Sequence, residues 1–139
     1  MKKLLILVIP LLLACSSQPG PKDVVFEFID GVLTSDSLIV VKNLDIDAYI
    51  KSLMMEMSPA DSSAILSEKR VSTIQTLLGD GETRRRWLRS QIIVNTETKS
   101  DSVAEVEVSF IDRSINHQLY TKMQLKRQVD KSWKIVFFK

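Results

Sequence analysis

The chain has 139 residues, 45% of them hydrophobic, with 19 basic side chains against 17 acidic ones. That near balance supplies no electrostatic attraction for nucleic acid, and the length suits one domain around one core. A single cysteine excludes an intramolecular disulfide, and one cysteine with one histidine are too few for a zinc site built on sulfur and nitrogen; no cofactor is implied.

The first residues form a segment of their own. Lys2 and Lys3 are followed by the apolar, uncharged residues 4–14 and then by Cys15. A membrane-spanning helix needs about 20 apolar residues, and this run is shorter, with the flanks of a signal peptide. Leu12-Leu13-Ala14-Cys15 resembles the bacterial lipobox, with small Ala14 just before the cysteine. The resemblance implies a lipoprotein signal peptide over residues 1–14 and acylation of Cys15, so that the membrane is met through a lipid anchor. It also implies a place in the bacterial cell envelope. Ser16, where proteobacterial lipoproteins kept at the inner membrane carry aspartate, favours the outer membrane, facing the periplasm. The alternative is an ordinary signal peptide ending on a chance cysteine. Without Lys2 and Lys3 the charges balance, 17 against 17. The polar stretch SSQPGP completes a linker over residues 15–21; six residues reach at most about 20 Å, so the domain of residues 22–139 would sit close to the bilayer.

From Lys22 the pattern is helical. Val25, Phe28, Ile29 and Val32 fall at i, i+3, i+4 and i+7 and predict a helix over about 22–34. Residues 37–57 read as helical with a break near Asn43, since Asp45 and Asp47 interrupt the apolar pattern. Ser58-Pro59-Ala60-Asp61 is a helix start, with a capping serine and a proline in the first turn. Val71, Ile74 and Leu78 continue that helix until Gly79-Asp80-Gly81 ends it.

After Gly81 the period changes to two. Leu88, Ile92 and Val94 share one parity, and the run RRRWLR, Arg84 to Arg89, reads as a charged entry into the first strand. Ala104, Val106, Val108 and Phe110 alternate with Glu105, Glu107 and Ser109. Leu119, Thr121, Met123 and Leu125 alternate with Tyr120, Lys122, Gln124 and Lys126, and Trp133, Ile135 and Phe137 close the series. Such alternation predicts a sheet with one buried and one wet face, and the short connections predict antiparallel hairpins. With a turn at residues 130–132, Val129 would face Trp133, Arg127 would face Ile135 and Leu125 would face Phe137. The expected fold class is α+β: N-terminal helices packed on a four-stranded antiparallel sheet.

That order, together with the ending VDKSWKIVFF, resembles the nuclear transport factor 2-like superfamily, whose small envelope lipoproteins end similarly. The resemblance implies a curved sheet wrapping the first helix, with a conical cavity between them. The chain is short for the superfamily, so the cavity is expected to be shallow.

Enzymes of that superfamily place Asp, His or Tyr inside the cone. Here the core-side strand positions are almost wholly apolar, and His117 lies in a predicted loop. No nucleophile elbow, phosphate loop or carboxylate pair is present, and Asp45, Asp47 and Glu56 do not have calcium-loop spacing. Asp30, Tyr49 and Arg127 are the candidate ligand-binding residues. Asp30 points either into the cavity or to solvent. Arg127 starts on the core side by parity and must pair, bind an anion or reach water. The RRRWLR run is either a solvated segment or a contact for anionic headgroups. The expectation is a non-catalytic envelope lipoprotein that binds a protein partner or a small apolar ligand. The alternatives are a small isomerase- or dehydratase-like enzyme, which needs Asp30, Tyr49 and Arg127 to converge, and a purely structural lipoprotein.

Overall fold

The computed structural model describes residues 17–57 and 63–139. Cys15 and the expected helix start at residues 58–61 lie outside the described residues. Among those described, no helix is long and apolar enough to cross a membrane.

Helix α1 runs Pro21–Thr34. Its first turn is fixed by Pro21 and by the Asp23 carboxylate, which accepts the Gly20 N–H at 2.8 Å. Val25, Phe28, Ile29 and Val32 are buried, as their spacing predicts, and Val24 is buried beside them. Ser35, at φ 60°, ends the helix. Helix α2 (Ser37–Asn43) begins at once, because the Asp36 carboxylate accepts the N–H groups of Leu38 and Ile39 at 3.0 and 3.2 Å. The two helices touch at Gly31, where a Cβ would stand only 2.7 Å from Ile39 Cγ2.

The expected break falls at Leu44 and Asp45. Leu44 is extended and bridges Ile135 in parallel, and the Asp45 N–H donates to the Ile135 carbonyl at 2.8 Å. This short segment covers part of the last strand's free edge. The Asp45 side chain then accepts the Ala48 N–H at 3.1 Å and starts helix α3 (Ile46–Met57). Helix α4 (Ser63–Leu77) follows and leads into a turn at Gly79, φ 56°.

Residues Glu82–Arg89 form helix α5, not a strand entry. Glu82 sits in the first turn and Arg86 and Arg89 in the last, where each complements the helix dipole. Glu82 also pairs with Arg86 at i,i+4, 3.6 Å apart. Trp87 is buried and Leu88 exposed, so the parity that grouped Leu88 with Ile92 and Val94 does not hold across Ser90.

Strands β1 (Gln91–Lys99), β2 (Val103–Asp112), β3 (His117–Arg127) and β4 (Trp133–Phe137) form an antiparallel meander in the order β1-β2-β3-β4. Ala104, Val106, Val108 and Phe110 are buried, as are Thr121, Met123 and Leu125 on β3. These face α1 within one core that also takes in Trp87 and Phe138. His117 is the first residue of β3 and pairs with Asp112, where the sequence suggests a loop.

Two bulges shift the alternation. In β1 the register slips between Val94 and Glu97, and the Glu97 carboxylate then accepts the Lys22 N–H at the start of α1 at 3.1 Å. In β4 the slip leaves Val136 unpaired: Leu125 pairs with Ile135 and Gln124 with Phe137. Phe138, not Phe137, therefore enters the core.

The last hairpin also departs from the expected register. Arg127 pairs with Trp133, not with Ile135, and Leu125 with Ile135, not with Phe137. The turn takes residues 128–132, not 130–132. The Gln128 N–H donates to the Ser132 carbonyl, Lys131 adopts φ 68°, and Asp130 Oδ1 accepts both the N–H and the hydroxyl of Ser132. This local hydrogen bonding places Val129 wholly in solvent. Val129 does not face Trp133.

Candidate functional site

The interior between α1 and the sheet is filled by aliphatic side chains together with a cluster of aromatic rings. Trp87 of α5 stacks on Phe110 of β2, centroids 4.8 Å apart, and meets Phe28 of α1 edge-on at 6.0 Å. Phe138 lies 5.5 Å from Phe28 and stacks on Tyr49 at 4.7 Å. Offset and edge-on contacts of this kind add to the burial of each ring.

The core face of the sheet opens beside this cluster. A cavity of about 470 Å³ lies between α5 and the β2–β3 turn, and one of about 260 Å³ adjoins it toward the C-terminus. Arg86, Phe110 and Leu119 line both. Phe110 and Leu119 make an apolar floor, and Arg85, Arg86 and Arg89 stand on the larger cavity's rim. Asp112 and His117 also line it. The Ser114 hydroxyl and N–H both donate to Asp112 Oδ1, at 2.5 and 3.0 Å. The hydroxyl's bond is the chief cause that holds the Asp112 carboxyl below its ordinary value, and the charge of Arg89 adds to it.

The arginine run therefore divides its work. Arg84 is structural: Nε and Nη2 donate to the Leu33 carbonyl at 3.2 and 3.0 Å, and Nη1 donates to the Gly79 carbonyl at 2.8 Å. Arg85, Arg86 and Arg89 face the cavity.

The three candidate residues do not meet. Asp30 is exposed and lines a separate groove of about 370 Å³ between α1, α5 and β1. Tyr49 lines the smaller C-terminal cavity, and its burial raises its phenol above the ordinary value. Arg127 is exposed at the opposite end of the sheet. Its guanidinium lies 5.9 Å from the Trp133 ring centroid, and Nε donates to the Lys131 carbonyl at 3.2 Å. Arg127 shares the face of Leu125 and of its cross-strand partner Trp133, as parity predicts, and at the last paired position of β3 its guanidinium reaches water. Sequence reasoning also missed the arginine rim, although Gly81 followed by Glu82 and an i,i+4 Glu–Arg pair signals a helix there.

The two ends of the sheet are distinct. Gln18, where the described chain begins to engage the domain, donates through Nε2 to the Asp130 carbonyl at 3.3 Å, beside the β3–β4 turn. The arginine-rimmed cavity lies at the β2–β3 end. Ten residues of β2 separate these ends, about 30 Å at roughly 3.4 Å per residue.

No protein-family model matches the chain, and no curated protein matches its sequence. Solved structures do share its fold. A Campylobacter jejuni protein, provisionally named an NTF2-like transpeptidase, aligns with a TM-score of 0.54 at 15% identity, over 87% of this chain and 100% of that one. A Shewanella frigidimarina protein, provisionally named a ketosteroid isomerase, aligns with a TM-score of 0.50 at 18% identity, over 84% of this chain and 89% of that one. At such identities the likeness defines the fold alone: the domain is a nuclear transport factor 2-like α+β fold with an open four-stranded sheet.

Proposed function

We propose that the chain is a non-catalytic module of the bacterial cell envelope, tethered through an acylated Cys15, that takes a small apolar ligand or a partner's apolar side chain at the α5 end of the sheet. The observation that carries the binding reading is the cavity of about 470 Å³ with Phe110 and Leu119 on its floor and arginines on its rim. Enzymes of the isomerase or dehydratase type need proton-transfer groups converging on one bound molecule. Asp30, Tyr49 and Arg127 lie in three places, and Asp112, held below its ordinary value by Ser114, is a weak base. The tether is supported by Lys2 and Lys3, the apolar run and Leu12-Leu13-Ala14-Cys15. With the tether at the Gln18 end, the cavity faces away from the membrane that holds the protein.

Two measurements test the proposal. Cys15→Ser should abolish labelling by a fatty-acid probe and leave unprocessed precursor; undiminished labelling refutes the tether. Titration with dodecanoate should change Trp87 emission saturably in a Trp133→Phe background, and Leu119→Asp should remove the change. Absence of any saturable change would leave a purely structural role.

A further inference from the structure

The end of the sheet that receives the chain carries a surface the cavity does not use. Val129, at the tip of the β3–β4 turn, is fully exposed at 105% of its reference area. Around it, Lys126, Arg127, Lys131 and Lys134 stand against Asp130 as the one acid between residues 126 and 134. Asp130 is engaged by Ser132, with Lys134 adding to the effect that holds its carboxyl low. The neighbouring β1–β2 turn contributes a second acid, Asp101, whose main-chain carbonyl accepts from Arg127 Nη1 at 3.5 Å. Lys126 and Lys134 are direct cross-strand partners, and like charges so placed repel. Among the described residues neither they nor Arg127 nor Lys131 has a carboxylate within salt-bridge distance. An exposed aliphatic tip ringed by cations outside any salt bridge fits a surface that is anionic outside and apolar within.

We propose that the β3–β4 turn is a second bilayer contact, with Val129 entering the interface and Arg127, Lys131 and the Lys126–Lys134 pair meeting the phosphates of anionic phospholipids. The inference rests on the tether proposed above and adds an orientation to it. Cys15 is three residues before Gln18, at most about 11 Å of chain at 3.3–3.6 Å per residue. Gln18 is itself bonded to the Asp130 carbonyl of that turn. An acyl chain on Cys15 therefore brings this turn, and no other end of the sheet, to the headgroups. Basic side chains there are drawn to an anionic leaflet, and one anchor and one surface patch together fix a pose that an anchor alone leaves free.

The test uses the full acylated protein purified from membranes, with a bimane label on Val129→Cys or, as the distal control, on Ile115→Cys in the β2–β3 turn. The protein is reconstituted into phosphatidylethanolamine vesicles with and without phosphatidylglycerol, carrying brominated acyl chains as quencher. The expected result is quenching of the label at position 129 and none at position 115. Quenching at 129 should weaken when phosphatidylglycerol is omitted, or in Arg127→Gln/Lys131→Gln, while flotation with the vesicles is unchanged. Failure to float overturns the tether and this surface together. Flotation with the two labels equally unquenched overturns the surface and leaves the tether standing. A label at 129 that is shielded from water yet unquenched by brominated lipid means that protein covers the turn, which also overturns the inference.

Discussion

Trp87 lies over Phe110 with the rings 4.8 Å apart and inclined by 24°. Through this stack α5 closes the end of the space between α1 and the sheet. Trp87 is 6% exposed and lines both the groove bearing Asp30 and the cavity bearing Tyr49. The ring thus stands between two openings as well as in the core.

Trp87→Ala should lower stability by about 3–5 kcal/mol, the usual cost of truncating a buried tryptophan. Urea denaturation followed by circular dichroism measures it. The variant should also bind an apolar dye more strongly than the parent, because the openings of about 370 and 260 Å³ merge. A loss below about 1 kcal/mol would place Trp87 outside the supporting core.

Arg84 and Arg85 are adjacent in sequence and opposite in consequence. Arg84→Met removes the donors of the part-buried Leu33 carbonyl near the end of α1 and leaves the exposed Gly79 carbonyl, in the turn before α5, to water. The expected cost is about 1.5–3 kcal/mol, the range for hydrogen bonds from a charged donor. Arg84→Lys should recover little, since an ammonium cannot reproduce the fork. Arg85→Met should stay within about 0.5 kcal/mol of the parent, as for an exposed residue free of such bonds. Equal costs for Arg84→Met and Arg85→Met would contradict the division of labour along the run.

The two faces of β2 differ in what they tolerate. Val108 is wholly buried, whereas the Glu107 carboxylate accepts the Thr96 hydroxyl at 3.0 Å and lies 3.9 Å from Lys122. Val108→Asp should unfold or severely destabilise the domain by burying an unpaired carboxylate. Glu107→Lys exchanges an exposed attraction for a repulsion and should cost no more than about 1 kcal/mol. Thermal melts of the two variants decide the matter.

The contrast between faces is also where the sequence was most legible. Alternation over Val103–Asp112 and His117–Arg127 is legible because one face meets a continuous apolar core; Ser109 departs from it, buried on the other face where its hydroxyl accepts from Asn95 at 2.7 Å. The spacing of Val25, Phe28, Ile29 and Val32 was equally direct. Legibility ended where short-range chemistry displaced the period. Asp130 folding back on Ser132 lengthened the last turn and moved Arg127 opposite Trp133. The bulge at Val136 exchanged Phe137 for Phe138. Helix α5 is short, and its one deeply buried apolar residue gives no stripe to count, so its capping and charge pattern carried the signal instead. The arginine-rimmed cavity could not be seen before α5 was known to be a helix.

Acid should weaken the fold through carboxylates that hold neighbouring elements together. Lys42 Nζ donates to Glu27 Oε1 at 2.6 Å, joining α2 to α1, and this bond is the main cause that places the Glu27 carboxyl below its ordinary value of 4.5. Arg70 grips Asp47 with two bonds of 2.6 and 2.7 Å, joining α4 to α3 and lowering Asp47 below 3.8. In both cases the unfolded chain binds its proton at a higher pH than the folded one does. The stabilisation is therefore complete above the ordinary carboxylate values and is lost as the pH falls through the lowered ones. The melting temperature should be level above about pH 5 and should fall between there and about pH 3. Added salt should reduce the slope, because both pairs are largely solvated. Glu27→Gln should melt lower than the parent at neutral pH and converge with it in acid. A melting temperature that rises on acidification, or a Glu27→Gln variant displaced by the same amount at every pH, would show that these pairs do not set the acid limit.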